Sequence, residues 1–323
     1  MLESFTVPSS GDIAEALHKY GEFGIAHSVA LHIGTASEVQ KRSQCPSCRL
    51  VAMGLAKSSM LATMIGAEDI FITSTWRQGV LRMCKASPYS QSEYDKWIFA
   101  PGSLLIYSDR YAPGSYGRLI KDVPVDLSKI RRWLELCDTR HGPDCKPSTS
   151  SDVAFSKNTL RLIDVIEMKI VQRPWSTNYL ALSYVWGGVQ QLCLLKSNRA
   201  ALQKPGALSK EIHQISRTVR ESMKFTRLIG ERYLWVDCLC LTNDDQEELN
   251  QGMYSMFQVY QGAYFTIVAA NGSSADASLP RLSTESRHPE QAFEHIKPGL
   301  SMIVAAYLDQ CLPNTAWYTR GWT

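Results

Sequence analysis

The chain has 323 residues, 45% of them hydrophobic, which suffices for one large domain or two ordinary ones with a real core. Charged residues make up 20% and the formal net charge is +3, with no Lys or Arg run long enough to track a phosphate backbone, so no nucleic acid is expected as partner. No apolar stretch reaches membrane-spanning length, the start lacks a basic then apolar leader pattern, and nine cysteines, an odd number, fit reduced thiols; the expectation is a folded, cytoplasmic protein without a membrane span.

The first region, residues 1–150, mixes helical patterns with strand-like pieces such as DIFITSTW and reads as a mixed α+β accessory region. It ends in the Pro-, Ser- and Gly-rich stretch HGPDCKPSTSSD, residues 141–152. Cys45 and Cys48 form a C-x2-C pair, and Cys137, His141 and Cys145 a C-x3-H-x3-C cluster. Any four of these five have the donor types of a tetrahedral structural zinc site, which would staple the region. The competing reading is burial, since Cys137 ends the apolar stripe of the helix-like KIRRWLELC.

From residue 151 to 323 the signals sharpen. TLRLIDVIEMKIVQ reads as strands, and NYLALSYVWGG as a short apolar run ended by a Gly pair. A helix follows with Ile212, Ile215, Val219 and Met223 on one stripe, stopping at Gly230. RYLWVDCLCL, residues 232–241, is apolar on both alternating faces apart from Asp237 and predicts a central strand, with Cys238 and Cys240 buried. Leu249, Met253, Met256, Phe257 and Tyr260 then recur at helical spacing, YFTIVAA predicts another buried strand, and a long polar loop starts at Asn271. The alternation implies an α/β fold with a mostly parallel sheet flanked by helices.

Three blocks resemble the signature blocks of the fungal heterokaryon incompatibility (HET) domain: YLALSYVWGG (179–188), RYLWVDCLCLTNDDQEE (232–248) with MYSMFQVYQGA behind it, and RGWT (320–323). Their order, and the ISRTVRESMKFTRLIG helix between them, carry the resemblance. It implies a protein that triggers programmed cell death on non-self recognition, an innate-immunity role in fungi, through a protein partner or self-association. HET domains also resemble Toll/interleukin-1 receptor (TIR) domains distantly, some of which hydrolyse NAD with a helix-borne glutamate. By that analogy the chain would be an NAD glycohydrolase using Glu247, or next Glu248; a non-toxic interaction scaffold is the third alternative. Two departures stand out: Asn243 replaces the family's Gln, and the chain stops at Thr323, where the family runs on into a Gln-Glu pair. The expectation is a domain cut from a longer protein, or a short version of one.

In a parallel sheet, ligands collect outside the carboxyl ends of the strands. Trp186, Gly187 and Gly188 end one expected strand, and the segment from Asp237 to Asp245 leaves another, so a rim site is expected there. Tyr184, Trp186, Gly187, Gly188, Asp244, Asp245, Arg320 and Trp322 are its candidate ligand-binding residues, with Asp237 a further candidate catalytic group and Arg320 its expected partner. The bland reading makes Asn243 and Gln246 a helix cap, Asp244 and Asp245 macrodipole residues, and Tyr184 and Trp235 core. No GxSxG, P-loop, HExxH or GxGxxG motif occurs, which argues against the common serine hydrolases, P-loop NTPases and Rossmann dehydrogenases.

Overall fold

The computed structural model describes residues 30–56, 69–74, 80–86, 97–107, 119, 125–142, 159–280, 282, 291–305, 312 and 315–319. The chain divides into two units: Met1–Asp122 with His288–Cys311, and Val123–Arg287 with Leu312–Thr323. No described helix is long and apolar enough to cross a membrane.

In the first unit, β1 (Ala30–Thr35), β2 (Asp69–Ser74), β3 (Val80–Ala86) and β4 (Trp97–Tyr107) form an antiparallel sheet. β10 (Phe293–Lys297) and β11 (Leu300–Ala305) extend it in the order β1-β2-β3-β4-β11-β10, with β11 antiparallel to β4. The sheet thus draws on chain from both sides of the polar stretch at 141–152. A strand edge left unpaired would expose a row of backbone donors and acceptors, and β11 meets that need for β4. Helix α1 (Ala36–Lys41) starts with a reciprocal cap: Glu38 N donates to the Thr35 hydroxyl, and Thr35 N to the Glu38 carboxylate. Helix α2 (Pro46–Ala56) buries Cys48, Leu50, Val51 and Leu55 in the same core as Ile70, Met83, Leu104 and Met302. Arg49 on α2 makes a two-pronged bond to Glu294, both contacts 2.7 Å.

The second unit contains α3 (Leu127–Arg140), β5 (Thr159–Asp164), β6 (Lys169–Pro174), β7 (Leu180–Ser183), α4 (Arg199–Leu202), α5 (Ala207–Lys210) and α6 (Arg217–Ile229). These are followed by β8 (Tyr233–Trp235), α7 (Asp237–Cys240), α8 (Gln246–Gly262) and β9 (Phe265–Val268). Although α3 precedes the polar stretch, it is tied to this unit: Arg131 donates to the carbonyls of Leu228 and Ile229, and the Tyr264 hydroxyl to Asp138.

The five strands run β6-β5-β8-β7-β9. β7 pairs parallel with both β8 and β9, whereas β5 runs antiparallel to β8 and to β6. The expected mostly parallel sheet is therefore a mixed one flanked by helices. Apolar runs reveal that a strand is buried on both faces but not which way its neighbour runs, and the tight turn after β5 sends β6 back as a hairpin.

RYLWVDCLCL is not one long strand. It is the three-residue β8 followed by a single helical turn, because a carboxylate strung into an apolar central strand would be costly to bury. The turn closes its own backbone bonds, Cys240 N to Val236 O at 2.8 Å and Leu241 N to Asp237 O at 3.0 Å, and leaves Cys238 and Cys240 buried. β9 is an edge strand rather than a buried one, with Val268 exposed.

α6 ends where expected, at Gly230, whose φ of 97° lets its amide and that of Glu231 turn back onto the last carbonyls. Ser222 and Thr226 sit on its buried face at little cost, since each hydroxyl donates to the carbonyl four residues back at 2.8 Å. Asp164, 0% exposed at the end of β5, is the unit's most enclosed carboxylate. It accepts from the amides of Ile166 and Glu167 and from two nitrogens of Arg232 at 2.7 and 2.9 Å. Burial pushes its carboxyl up, and the Arg232 and amide bonds outweigh that, leaving it below the usual carboxylate range.

Candidate functional site

The loops after β7 and β8 leave from the carboxyl ends of parallel neighbours and come together. The Trp186 indole donates to Asp237 Oδ2 at 3.0 Å, and Cys238 N donates to Oδ1 of the same carboxylate at 2.7 Å. Asn243 clamps the turn from below, its amide donating to the carbonyls of Cys238 at 2.9 Å and Leu241 at 2.8 Å. Asn243 is thus long enough to hold both carbonyls of the turn. Trp186, Asp237 and Asn243 line a cavity of about 220 Å³ whose other walls are Leu241, Leu249, Met253 and Met256.

Several candidate rim residues serve the architecture. Tyr184 is buried, its hydroxyl bonded to Gln191, and burial pushes its phenol well above the usual range. Gly187, at φ +63°, lies so close to the loop after β9 that a Cβ would fall 2.4 Å from the Ser273 carbonyl oxygen. The backbone approaching this glycine is the chain's own, and Ala275 N completes the contact by donating to Trp186 O at 3.1 Å. Gly188, at φ +71°, has open space around it.

Asp244 accepts from Lys196 N at 2.8 Å. Asp245, not Asn243, caps α8: its side chain accepts from Glu248 N at 3.3 Å and pairs with Lys196 Nζ at 3.2 Å. The expected Asn243–Gln246 box is displaced by two residues because Asn243 is occupied by the turn. Arg320 and Trp322 lie outside the described residues. Trp317, just before them, donates its indole N–H to the Ser183 hydroxyl at the end of β7 at 2.8 Å.

Asp237→Ala removes the acceptor of both the Trp186 indole and the Cys238 amide. The expected cost is about 1–3 kcal/mol, the range for leaving half-buried donors unmet. A urea melt superimposable on that of the unmutated protein would show that Asp237 is dispensable to the rim.

The zinc candidates divide between the units. Cys45 and Cys48 are buried in the first, where Cys48 N donates to Cys45 Sγ at 3.4 Å and burial pushes the Cys48 thiol up to about 11. Cys137, half-buried on α3, and the exposed His141 belong to the second, and Cys145 lies outside the described residues. Among the described residues no three His, Cys, Asp or Glu side chains gather as a metal cage. A closed zinc site needs four ligands.

A larger cleft, about 450 Å³, opens along α8 and β5, lined by Arg161, Trp175, Arg199, Trp235, Glu248 and Gln258 among others. Glu248 is its best-organised group. Oε1 accepts from Arg161 Nη1 at 2.5 Å and Thr242 N at 3.1 Å, and Oε2 accepts from the Thr242 hydroxyl at 2.9 Å. Burial pushes this carboxyl up, but Arg161 and Thr242 more than offset it and hold Glu248 below the usual range. Glu247 is exposed and accepts from Gln251 at 3.3 Å. Sequence reasoning passed over Arg161, Trp175 and Gln258. The available signal was Arg161 itself, a charge inside the alternating strand TLRLID that could be buried only against a carboxylate.

Residues 179–323 match the family model described as Heterokaryon incompatibility protein (HET). Searches of curated proteins and of solved structures return no match. All three signature blocks fall within the matched residues, whereas Arg161 and Trp175 precede them.

Proposed function

Because residues 179–323 match the family model of the heterokaryon incompatibility (HET) domain, we propose that the protein acts in the fungal cytoplasm to trigger programmed cell death after non-self recognition. The family match is the observation that carries this reading. Met253, Tyr254 and Phe257 add to it: these α8 side chains are 49%, 88% and 71% exposed, apolar surface that a partner or a second copy could cover. Both Met253 and Phe257 belong to the set that recurs at helical spacing. The 17-residue helix instead turns Gly252, Met256 and Val259 inward.

Inducible expression in a fungal host is expected to kill the cells. The double variant Tyr254→Ser/Phe257→Ser, at matched protein level, is expected to relieve toxicity if assembly through α8 is the trigger. Full viability with the unmutated protein at checked levels would discard the proposal and leave the non-toxic scaffold.

One observation favours a second reading, NAD cleavage by analogy with TIR domains: Glu248 lines the 450 Å³ cleft as an ionised, oriented carboxylate. In that reading Glu248 rather than Glu247 stabilises the positive charge that develops as the glycosidic bond breaks. Nicotinamide release should then vanish in Glu248→Gln and persist in Glu247→Gln, with both variants checked for melting.

A further inference from the structure

Native proteins rarely leave buried polar atoms unmet, and each exception asks for an explanation. Two such atoms belong to residues that line one cleft. Gln258 Oε1, an acceptor, and Arg161 Nε, a donor, are buried with no hydrogen-bond partner among the described residues. The Trp175 indole shares the wall with them and offers a flat apolar surface. The charges leave one cation in surplus. Arg161 is neutralised by Glu248, whereas Arg199 makes no ion pair among the described residues. The volume of about 450 Å³ lies within the span of small-molecule sites, roughly 300–1,000 Å³.

From these features together we infer that the cleft of α8 and β5 binds a nucleotide. Its base supplies an N–H to Gln258 and an acceptor to Arg161 while lying against Trp175, and its phosphate meets Arg199. A purely apolar ligand would leave both polar atoms unmet and Arg199 idle. Inorganic phosphate would serve Arg199 but not Gln258, whose oxygen repels another acceptor. Both unmet atoms are buried in residues that line the cleft, so contact requires the half-buried Gln258 side chain to turn outward and the Nε edge of Arg161 to be uncovered, rotamer changes of the fast kind. Arg161 and Trp175 precede the family-matched residues, so the site belongs to this chain rather than to the shared blocks. The inference is independent of cleavage, because binding without turnover satisfies it and counts only against the glycohydrolase reading.

The test titrates the full chain with AMP, GMP, CMP, UMP and NAD, read by tryptophan fluorescence and by melting temperature, with adenosine and inorganic phosphate as separate arms. At least one nucleotide should quench fluorescence and raise the melting temperature. Adenosine and phosphate should each bind at least about tenfold more weakly than that nucleotide, as expected when a charge-assisted bond or the base contacts are lost. Gln258→Leu removes an amide oxygen that has no internal partner, so the variant should melt no lower than the unmutated protein yet bind roughly tenfold more weakly. Arg199→Ala should bring nucleotide affinity down to that of the nucleoside. The inference is overturned if no nucleotide binds at millimolar concentration, if phosphate binds as tightly as the nucleotides, or if affinity is the same in both variants.

Discussion

Arg161→Ala is expected to destabilise the second unit by about 3–5 kcal/mol, the usual cost of removing one partner of a buried ion pair and leaving the other charge behind. The Glu248 and Arg161 side chains are 15% and 10% exposed, and Arg161 also donates to the Cys240 carbonyl at 2.9 Å, so its removal takes a donor from two acceptors. The pH dependence provides an internal check. In the unmutated protein the Glu248 carboxyl is held below its unfolded value. Its contribution is therefore present above the unfolded pKa and is lost as pH falls through the folded one. Without Arg161, burial pushes the carboxyl upward, and protonation in mild acid relieves the variant. The stability gap between the two proteins should narrow as pH falls from neutral into the carboxylate range. A gap under about 1 kcal/mol at neutral pH, the worth of an exposed pair, would mean that Glu248 is solvated and the cleft floor is misassigned.

Gly187→Ala should cost roughly 2–4 kcal/mol, and Gly188→Ala only about 1 kcal/mol. Both glycines have left-handed φ, +63° and +71°, so both pay the side-chain penalty of that conformation. Only at Gly187 would the new Cβ also meet backbone, the Ser273 carbonyl oxygen at 2.4 Å and Ser274 Cα at 2.6 Å. Backbone cannot swing aside as a side chain can. The loop after β9 would have to lift, loosening the Ala275–Trp186 bond and the bonds that Asp276 and Ala277 accept from Arg217 N and the Thr218 hydroxyl. Chemical denaturation of the two single variants side by side isolates the close-approach term from the dihedral one. Equal losses would show that the loop does not rest on Gly187.

Much of the fold was legible because local chemistry dictated it. The strands at 159–174 follow from β-branched and apolar alternation broken by a turn, and the helix stop at Gly230 from the left-handed φ that Gly alone takes readily. The meeting of Trp186 with Asp237 followed from the rule that loops gather at the carboxyl ends of parallel strands, which β7 and β8 obey. The capping assignment went astray because Asn243 and Asp245 have equal claims in sequence, and Asn243 was already bound to the carbonyls of the turn before it.

By itself the sequence determined the strands at 159–174, the helix stop at Gly230 and, through three blocks in residues 179–323, the likeness to the HET family model. Those properties depend on neighbours along the chain. Only the tertiary structure decided that β5 runs against both β6 and β8, that β10 and β11 join the first unit's sheet, and that Glu248 faces Arg161 while Glu247 faces water. Strand direction, sheet membership and the partner of a charge are settled between residues tens of positions apart. There the deciding terms are the desolvation of a carboxylate and the pairing of a strand edge, neither of which leaves a periodic trace in the sequence.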